Sequence, residues 1–478
     1  MSRIVVAGGG IAGLSMAMLL AKQGHEVTVL ERDGDGVPGS PDQAWQDWDR
    51  HGVAQFRQPH YLHTAGRQIL DAALPEVTDA LLRAGATQFD MLALMPPFIT
   101  DRAPREGDER FVTITGRRPV IEYAVATTAQ ERLDIRRDVA VTELLTGPQA
   151  VKDVPNVTGV RTSNGDELPA DLVIDAMGRR SGLPGWLAAV GARPLAEEAE
   201  DSGFTYYTRY FRSADGAAPQ FIAGLLTPFD SFSLLTLPGD VGTWSVTVFI
   251  SSRDQALKEL RHAGKWTAAV AACPLHAHLL GEPVTDVLAM SGIADRRRRC
   301  VVDGAPVVTG LLTVGDSAHC TNPSLGRGMT MGLMHASGTA ELVKEHLDDP
   351  GTLALEHDRM TEARVAPWYW NTVALDRDRL AQINASIDGA PGPEPSSPEP
   401  SGPEPGGPAS VAQQAFGPAM LYDPDIFRAM MEIISMQALP EEVFARPGFS
   451  GRVTAAAGGR ETFTIPGPSR AELLTLLA

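Results

Sequence analysis

The stretch that decides the fold is IVVAGGGIAGLSMAMLLAKQGHEVTVLE, residues 4–31. Residues 4–7 have the apolar character of a short buried strand, and residues 8–13 form a G-x-G-x-x-G turn. Residues 14–23 show the spacing of an amphipathic helix, and residues 27–30 form a second apolar strand. This order predicts a βαβ unit at the start of a parallel sheet.

Each glycine of the turn has a physical role. Gly8 permits the tight turn, Gly10 allows a pyrophosphate to approach the backbone, and Gly13 allows the helix to pack closely on the strand. Ile11 and Ala12 lie in the turn between Gly10 and Gly13, and the N-terminus of the helix that follows favours an anion. Glu31 ends the second strand, where a carboxylate can accept hydrogen bonds from a ribose and would repel a 2′-phosphate. The segment therefore predicts a dinucleotide site for FAD or NAD.

Composition excludes several other classes of protein. The chain has 478 residues, a formal net charge of −18 and three widely separated cysteines. The charge argues against nucleic-acid partners, and the cysteines predict neither disulfides nor a metal centre. No window approaches the ~18 apolar residues of a transmembrane segment. Three glycines interrupt the first apolar stretch, which disfavours a signal peptide, so we expect a cytoplasmic protein.

A second glycine motif follows a short apolar strand at residues 311–314. It has the sequence GDSAHCTNPSLGRG, residues 315–328, and leads into a predicted helix at 329–347. Asp316 would lie at the carboxyl edge of the sheet, where ligands bind in α/β folds. The turn aims backbone N–H groups and a helix N-terminus at one place, which suits an anionic, electron-rich ring.

Three further segments complete a recognisable set: DLVIDAMGRRS (171–181), RPVIE (118–122) and RHGV (50–53). With the two glycine motifs, they resemble the flavoprotein monooxygenases built like p-hydroxybenzoate hydroxylase. The resemblance implies that Asp316 holds the ribityl hydroxyls of FAD and that the turn 323–328 faces the pyrimidine edge of the flavin. It also implies that Arg50 lies against the cofactor.

Together these patterns predict an FAD site. Its predicted residues are Gly8, Gly10, Ile11, Ala12, Gly13, Glu31, Arg32, Arg50, Arg118, Asp175, Gly178, Gly315, Asp316, Pro323, Gly326, Arg327, Gly328 and Met329.

Two smaller patterns resemble a bacterial subset that includes the polyether-antibiotic epoxidases. They are GVAQ with PHYLH (52–55 and 59–63) and SGLPGWL (181–187). The resemblance implies that one oxygen atom of O₂ is inserted, through a flavin C4a-hydroperoxide, into an apolar, natural-product-like substrate by epoxidation or hydroxylation. His60, His63 and His319 are candidates for a role near the ring, although a buried structural role suits each of them better.

The electron source and three alternative functions stay open. No second G-x-G-x-x-G occurs, so either NAD(P)H binds transiently or a partner flavin reductase supplies reduced flavin. The alternatives are a flavin-dependent reductase of an isoprenoid-type double bond, a halogenase, and a non-catalytic module with the flavin fold. Related halogenases use a lysine after the first cofactor segment, and this chain has none between Lys22 and Lys152.

The predicted fold class is α/β, with a Rossmann-like FAD-binding domain in two parts, 1–185 and 296–350. An antiparallel-sheet substrate domain is expected at 186–295, and a C-terminal helical region at 351–478 with a Pro-rich linker at 389–410. Aromatic strand residues could wall the substrate pocket, namely Tyr206, Tyr210, Phe232 and Trp244. The arginine run 296–299 is expected to form an ion-paired or solvated entry to a strand.

Overall fold

The structure, a computed structural model, describes residues 1–390, 408–458 and 463–478. Most of the predicted Pro-rich linker, 389–410, therefore lies outside the described residues.

The described strands are β1 (Arg3–Ala7), β2 (Glu26–Glu31), β3 (Thr87–Asp90), β4 (Val112–Thr115), β5 (Asp134–Arg137), β6 (Val141–Gly147), β7 (Asn156–Thr162), β8 (Glu167–Pro169), β9 (Leu172–Asp175), β10 (Ala196–Asp201), β11 (Phe204–Arg212), β12 (Leu226–Pro228), β13 (Phe232–Pro238), β14 (Thr243–Ser251), β15 (Leu288–Ser291), β16 (Ala294–Arg299), β17 (Val301–Val302), β18 (Ala305–Pro306), β19 (Leu311–Thr313) and β20 (His319–Cys320).

The described helices are α1 (Ile11–Lys22), α2 (Pro41–Gln46), α3 (Thr64–Ala73), α4 (Pro75–Arg83), α5 (Arg118–Gln130), α6 (Leu183–Ala189), α7 (Ala263–Ala271), α8 (Gly328–His346), α9 (Pro350–Arg364), α10 (Ala366–Asp388), α11 (Pro408–Met420), α12 (Pro424–Ile434), α13 (Pro440–Phe444), α14 (Phe449–Ala457) and α15 (Arg470–Leu477).

A five-stranded parallel sheet organises the N-terminal part of the chain, in the order β19-β9-β1-β2-β5. Val6 of β1 pairs with Val29 of β2 on one side and with Ile174 of β9 on the other. These central strands are continuous apolar runs because both faces of a parallel sheet are covered. Helix α1 packs against α5 and α8 beside the sheet. The strand β19, some 300 residues downstream, thus joins the sheet that β1 begins.

A second, antiparallel sheet has the order β12-β13-β14-β11-β15. The sequence PGDVG at residues 238–242 is typical of a hairpin turn, and it joins β13 to β14, which pairs with the whole of β13. On one face, Phe211 and Trp244 pack against Trp266 of α7. On the other face, Tyr206 and Phe249 form a cluster with Ile383 of α10. Helices therefore bury both faces of this sheet.

The arginine run lies within a strand, which corrects the expectation that it precedes one. Residues 296–299 belong to β16, which pairs antiparallel with β10. Arg298 bonds Glu197 at 2.5 Å, Arg297 bonds Glu198 and Glu362, and Arg299 bonds Asp358 at 2.6 Å. The arginines adopt an extended strand because glutamates of β10 and acidic groups of α9 compensate their charges.

A buried ion pair joins the β13–β14 hairpin to the start of α5. The Arg117 guanidinium donates to both carboxylate oxygens of Asp240, from Nε at 2.9 Å and from Nη2 at 2.6 Å. The Arg117 backbone N–H donates to the same carboxylate at 2.8 Å. Each side chain is 1% exposed. The guanidinium also lies 4.5 Å from the ring centroid of Trp45, so the antiparallel sheet is fixed to the first part of the chain at this point.

The architecture is mixed α/β, with a Rossmann-like parallel sheet, antiparallel sheets and C-terminal helices, so the predicted fold class is confirmed. Within the three described ranges, no helix combines the length and apolarity needed to cross a membrane.

Candidate functional site

One cavity of about 290 Å³ lies at the carboxyl edge of the parallel sheet. The end of every strand of that sheet, or the segment just after it, contributes to the lining. These contributions are Ala7–Gly8 after β1, Leu30–Glu31 of β2, 139–141 after β5, 176–180 after β9 and 314–316 after β19. The cavity therefore lies where open α/β sheets bind their ligands.

The two glycine segments, predicted from distant parts of the sequence, face this same cavity. Gly8, Gly10, Ile11 and Ala12 line it from the first turn, and Gly315, Gly326 and Gly328 line it from the second. A Cβ atom at Gly10 would meet no heavy atom within 4 Å, so the turn leaves open space there. Neither α1 nor α8 has a side-chain cap at its N-terminus. Their first N–H groups are thus available to an anion in the cavity.

Asp316 lines the cavity and accepts no hydrogen bond from the described residues. Burial raises the pKa of this carboxyl, while the charges of Arg118 and Arg179 act in the opposite direction. The residue is only partly buried, so its carboxylate stays accessible from the cavity. The Asp316 carboxylate is therefore oriented to accept hydrogen bonds from a ligand.

Glu31, in contrast, is held by the protein on both carboxylate oxygens. Oε2 accepts from the Gly9 N–H at 2.9 Å and from Arg50 Nη2 at 2.8 Å, and Oε1 accepts from the Asp33 N–H at 2.9 Å. Arg50 also donates to Asp33 and Glu122, at 3.1 Å and 3.0 Å. This buried network, which lines the cavity through Glu31, Asp33 and Arg50, fixes the ends of β1 and β2 relative to α5.

Comparisons with known proteins found sequences and structures that are similar to this chain. The model of the FAD dependent oxidoreductase family matches residues 3–44. Among curated proteins, Protein Rv3254 of Mycobacterium tuberculosis is 28% identical over 400 residues, covering 77% of this chain and 79% of its own length. The chloroplastic zeaxanthin epoxidase of Spinacia oleracea is 25% identical over 358 residues, covering 69% of this chain and 46% of its own length. The chain thus matches less than half of the length of that epoxidase.

Solved structures extend the match across the chain. PqsL of Pseudomonas aeruginosa has a TM-score of 0.56 at 17% identity and covers 81% of this chain and 99% of its own. OxyS anhydrotetracycline hydroxylase of Streptomyces rimosus also has a TM-score of 0.56 at 17% identity, covering 91% of this chain and 76% of its own. This chain therefore shares its fold with both proteins. The fold is also shared by CmlS, a flavin-dependent halogenase, with a TM-score of 0.56 at 15% identity, covering 99% of this chain and 76% of its own.

The residues of the cavity fit an FAD molecule. The first turn and the N-terminus of α1 would hold the pyrophosphate, and the open space at Gly10 admits it. Asp316 would accept hydrogen bonds from the ribityl hydroxyls. Most of the predicted cofactor residues line the cavity. In addition to those described above, the lining includes Arg32, Arg118, Gly178, Pro323 and Met329.

Three of the predicted FAD residues lie behind the cavity lining. Gly13 faces the backbone of Gly8. Asp175 accepts from the Met177 N–H at 3.0 Å and from Ser181 Oγ at 2.5 Å. Arg327 turns away toward α10. These residues hold the cavity-lining segments in place without facing the cavity themselves.

Replacing Asp316 by Asn is expected to weaken FAD binding by roughly 1.5–3 kcal/mol, which is roughly 12- to 160-fold in Kd, because hydrogen bonds to a charged acceptor are lost. Titration of the apoprotein with FAD, followed by flavin fluorescence, measures this effect. The matched control is Asp303→Asn, an exposed carboxyl in the β17–β18 turn. An unchanged Kd for Asp316→Asn would contradict the assignment of Asp316.

His60 lines the cavity, but neighbouring residues use both of its ring nitrogens. Nδ1 lies 2.9 Å from the Gln58 carbonyl, so it carries the proton and donates it. Nε2 lies 2.6 Å from Arg118 Nη1, which can only donate, so Nε2 accepts. Burial, with the Arg118 charge, lowers the pKa of His60 well below its usual value. This neutral ring positions Arg118 and has no proton directed at the cavity.

His63 and His319 do not line the cavity. His63 Nε2 donates to the Leu325 carbonyl at 2.9 Å and so supports the second turn from behind. Neither ring nitrogen of His319 has a hydrogen-bond partner among the described residues. Burial lowers the pKa of each to about 3, with Arg327 contributing for His63 and Arg297 for His319. Both rings are neutral and structural in this arrangement.

The four predicted substrate residues are all buried and none of them lines the cavity. Tyr206 donates to Asn322 Oδ1 at 2.8 Å, and Tyr210 packs edge-on against Trp45. Phe232 stacks on Phe229, and Trp244 donates to the Leu279 carbonyl. Phe232 and Trp244 belong to the core that α7 covers and Tyr206 to the cluster with α10, whereas Tyr210 packs against α2.

Some lining residues were absent from the predicted set. They lie mainly in segment 52–59, after β5, after β9, in α6 and at β20, and include Val53, Gln55, 139–141, Arg179, Arg180, Trp186, Cys320 and Thr321. The segment 139–141 follows β5 at the carboxyl edge of the sheet, so recognising β5 as a parallel strand would have indicated it. Cys320 and Thr321 lie inside the second glycine segment, whose extended part faces the cavity.

Proposed function

We propose that this chain is an FAD-dependent monooxygenase that transfers one oxygen atom of O₂ to an apolar, natural-product-like substrate by epoxidation or hydroxylation. The observation that carries the proposal is the meeting of two distant glycine segments on one cavity, with the Asp316 carboxylate free to bind a ligand. The relatives named for zeaxanthin epoxidation and anhydrotetracycline hydroxylation support it.

The protein contributes binding, orientation and protection from water. Bound FAD in its reduced form supplies the chemistry that activates O₂. The turn at residues 8–13 and the N-terminus of α1 hold the pyrophosphate, and Asp316 holds the ribityl chain. The N-terminus of α8, aimed at the same cavity, stabilises negative charge near the turn at residues 323–328. Apolar lining at Val53, Ile293 and Met329 limits the access of water.

We propose that electrons come either from transiently bound NAD(P)H or from a separate flavin reductase. The first glycine turn is the one dinucleotide motif in the sequence, and the FAD pyrophosphate would occupy it. Oxidation of NADPH by the FAD-loaded protein alone, followed at the nicotinamide absorbance, separates the two sources: turnover without added reductase indicates direct use.

A halogenase function is disfavoured by the cavity itself. No lysine is found among the lining residues of the described chain, and no lysine occurs between Lys22 and Lys152. The resemblance assigns the halogenase reaction to a lysine in that interval. Since CmlS shares the fold, the fold does not distinguish a halogenase from a monooxygenase. The absence of the lysine favours the monooxygenase.

The test is oxygen-isotope incorporation. The FAD-loaded protein, with NADPH and a flavin reductase, is incubated with a panel of apolar polyenes and polycyclic aromatic compounds under ¹⁸O₂. A product that carries one ¹⁸O atom, and is absent from reactions with Asp316→Asn at limiting FAD, supports the proposal. A reduced product formed equally well without oxygen would instead establish the alternative reductase of an isoprenoid-type double bond.

A further inference from the structure

Helix α10, in the C-terminal region, presents three polar side chains to the turn at residues 322–328. Asp376 accepts from Ser324 Oγ at 2.6 Å and from Asn322 Nδ2 at 2.9 Å. One turn of helix earlier, Asn371 and Thr372 accept from Arg327 Nη1 at 2.8 Å and 3.1 Å. Pro323, Gly326 and Gly328 of this turn line the cavity. The backbone that faces the cavity is therefore held from behind by one face of α10.

Asn322 connects this support to the antiparallel sheet and to β16. Its Oδ1 accepts from the Tyr206 hydroxyl at 2.8 Å, and its backbone N–H donates to Asp295 Oδ1 at 2.7 Å. Since Nδ2 donates to Asp376, both the oxygen and the nitrogen of the Asn322 side-chain amide are hydrogen-bonded. The network is buried, since Asp295, Asn322, Ser324 and Asp376 are each at most 6% exposed.

The charged and titratable groups around Asp376 come from each element that packs on it. Asp295 lies on β16, Tyr206 on β11, and Arg327 in the turn itself. Asp295 is in turn influenced by Glu200, Asp201 and Arg377. Burial raises the pKa of Asp376 to about 7, and the neighbouring Asp295 charge adds to that rise, whereas the Ser324 and Asn322 hydrogen bonds and the Arg327 charge lower it.

Protonation of Asp376 would therefore occur close to neutral pH and would weaken the turn. The ionised carboxylate accepts one hydrogen bond on each oxygen, and its charge partly compensates the buried Arg327 guanidinium, which makes no ion pair within 4.0 Å in the described chain. The neutral acid loses one acceptor and leaves that guanidinium less compensated.

We propose that Asp376 is a positioning residue for the proposed flavin site, whose ionised carboxylate holds the turn at residues 322–328 in the form that binds FAD. This proposal rests on the proposed function. Because FAD binds the form with ionised Asp376, its affinity rises with pH while the carboxyl titrates, by at most tenfold per pH unit for one proton.

The experiment measures the Kd of the apoprotein for FAD by flavin fluorescence between pH 5.5 and about 8.5, a range set on each side of neutrality. In the wild type, Kd is expected to fall as the pH rises. In Asp376→Asn, which keeps the shape and cannot ionise, this dependence is expected to disappear. The control Asp388→Asn, on the same helix but in an exposed pair with Arg253, is expected to follow the wild type.

Ser324→Ala provides an independent second variant if Asp376→Asn fails to fold, which circular dichroism of the apoprotein would reveal. It removes one donor and leaves an ionisable carboxyl, so the midpoint of the pH profile is expected to move to higher pH. A wild-type pH profile in Asp376→Asn, or an unmoved midpoint in Ser324→Ala, overturns the role of Asp376 while FAD binding itself stands. Absence of FAD binding by the wild type at every pH overturns the proposed function, and this assignment with it.

Discussion

Gly13→Ala is expected to destabilise the protein by about 3 kcal/mol or more and to abolish FAD binding at neutral pH. A Cβ atom at Gly13 would lie 2.0 Å from the Gly8 carbonyl oxygen and 3.1 Å from Ala176 Cβ. The first contact is with backbone, so relief requires α1 to move away from β1 and β9. That movement displaces the turn that would hold the pyrophosphate. Denaturant unfolding of the apoprotein and FAD titration measure the two effects.

Two glycine variants serve as controls for this prediction. Gly185→Ala, at the exposed third residue of α6 with no heavy atom within 4 Å of the added Cβ, is expected to stabilise the protein by about 0.5–1 kcal/mol, because Ala favours a helix. Gly10→Ala also meets open space, but the methyl group would stand inside the cavity. It should keep wild-type stability and weaken FAD binding by about tenfold or more. Equal stability of Gly13→Ala and Gly185→Ala would contradict the packing argument.

Asp240→Ala is expected to cost about 3–5 kcal/mol of unfolding free energy, since it leaves the Arg117 charge buried without a partner. Asp240 accepts four hydrogen bonds from Arg117, including one from the backbone N–H just before α5. Urea unfolding of the apoprotein provides the measurement. A loss below about 1 kcal/mol, the range of exposed pairs, would show that the pair is hydrated in solution.

An exposed pair on the same molecule calibrates this second prediction. Asp388→Ala breaks the contact with Arg253, where both side chains are about half exposed, and is expected to change stability by about 0–1 kcal/mol. The double variant Arg117→Met with Asp240→Leu removes both charges and should recover much of the loss, because an apolar pair of similar volume avoids the unpaired charge.

The parts of the fold that depend on local pattern were predictable. The first strand, helix and second strand lie within three residues of their predicted bounds, because apolar periodicity and glycine geometry determine them locally. The hairpin 238–242 was predictable for the same reason. The arginine strand was not, because its charges are compensated by Glu197 and Glu198 of β10, about a hundred residues earlier.

The candidate site also has a part that local sequence motifs predict and a part that depends on contacts between distant residues. Motif residues such as Gly10, Gly315 and Asp316 face one cavity, as their patterns indicate, because a motif carries its own backbone geometry. The orientation of a single histidine or aromatic residue depends on its neighbours in space. His63 is turned toward the Leu325 carbonyl and Trp244 toward the Leu279 carbonyl, and no periodicity in the sequence reports either contact. Asp376 gave no signal at all, since it occupies an ordinary helical position.

The dependence of the turn at residues 322–328 on α10 restricts how this scaffold can be recombined with its homologues. A chimeric enzyme whose crossover point lies near residue 350 would join a turn from one parent to a helix from another. The Arg327 guanidinium would then face a surface that did not evolve to receive it. Chimeras that inherit both segments from the same parent avoid that mismatch.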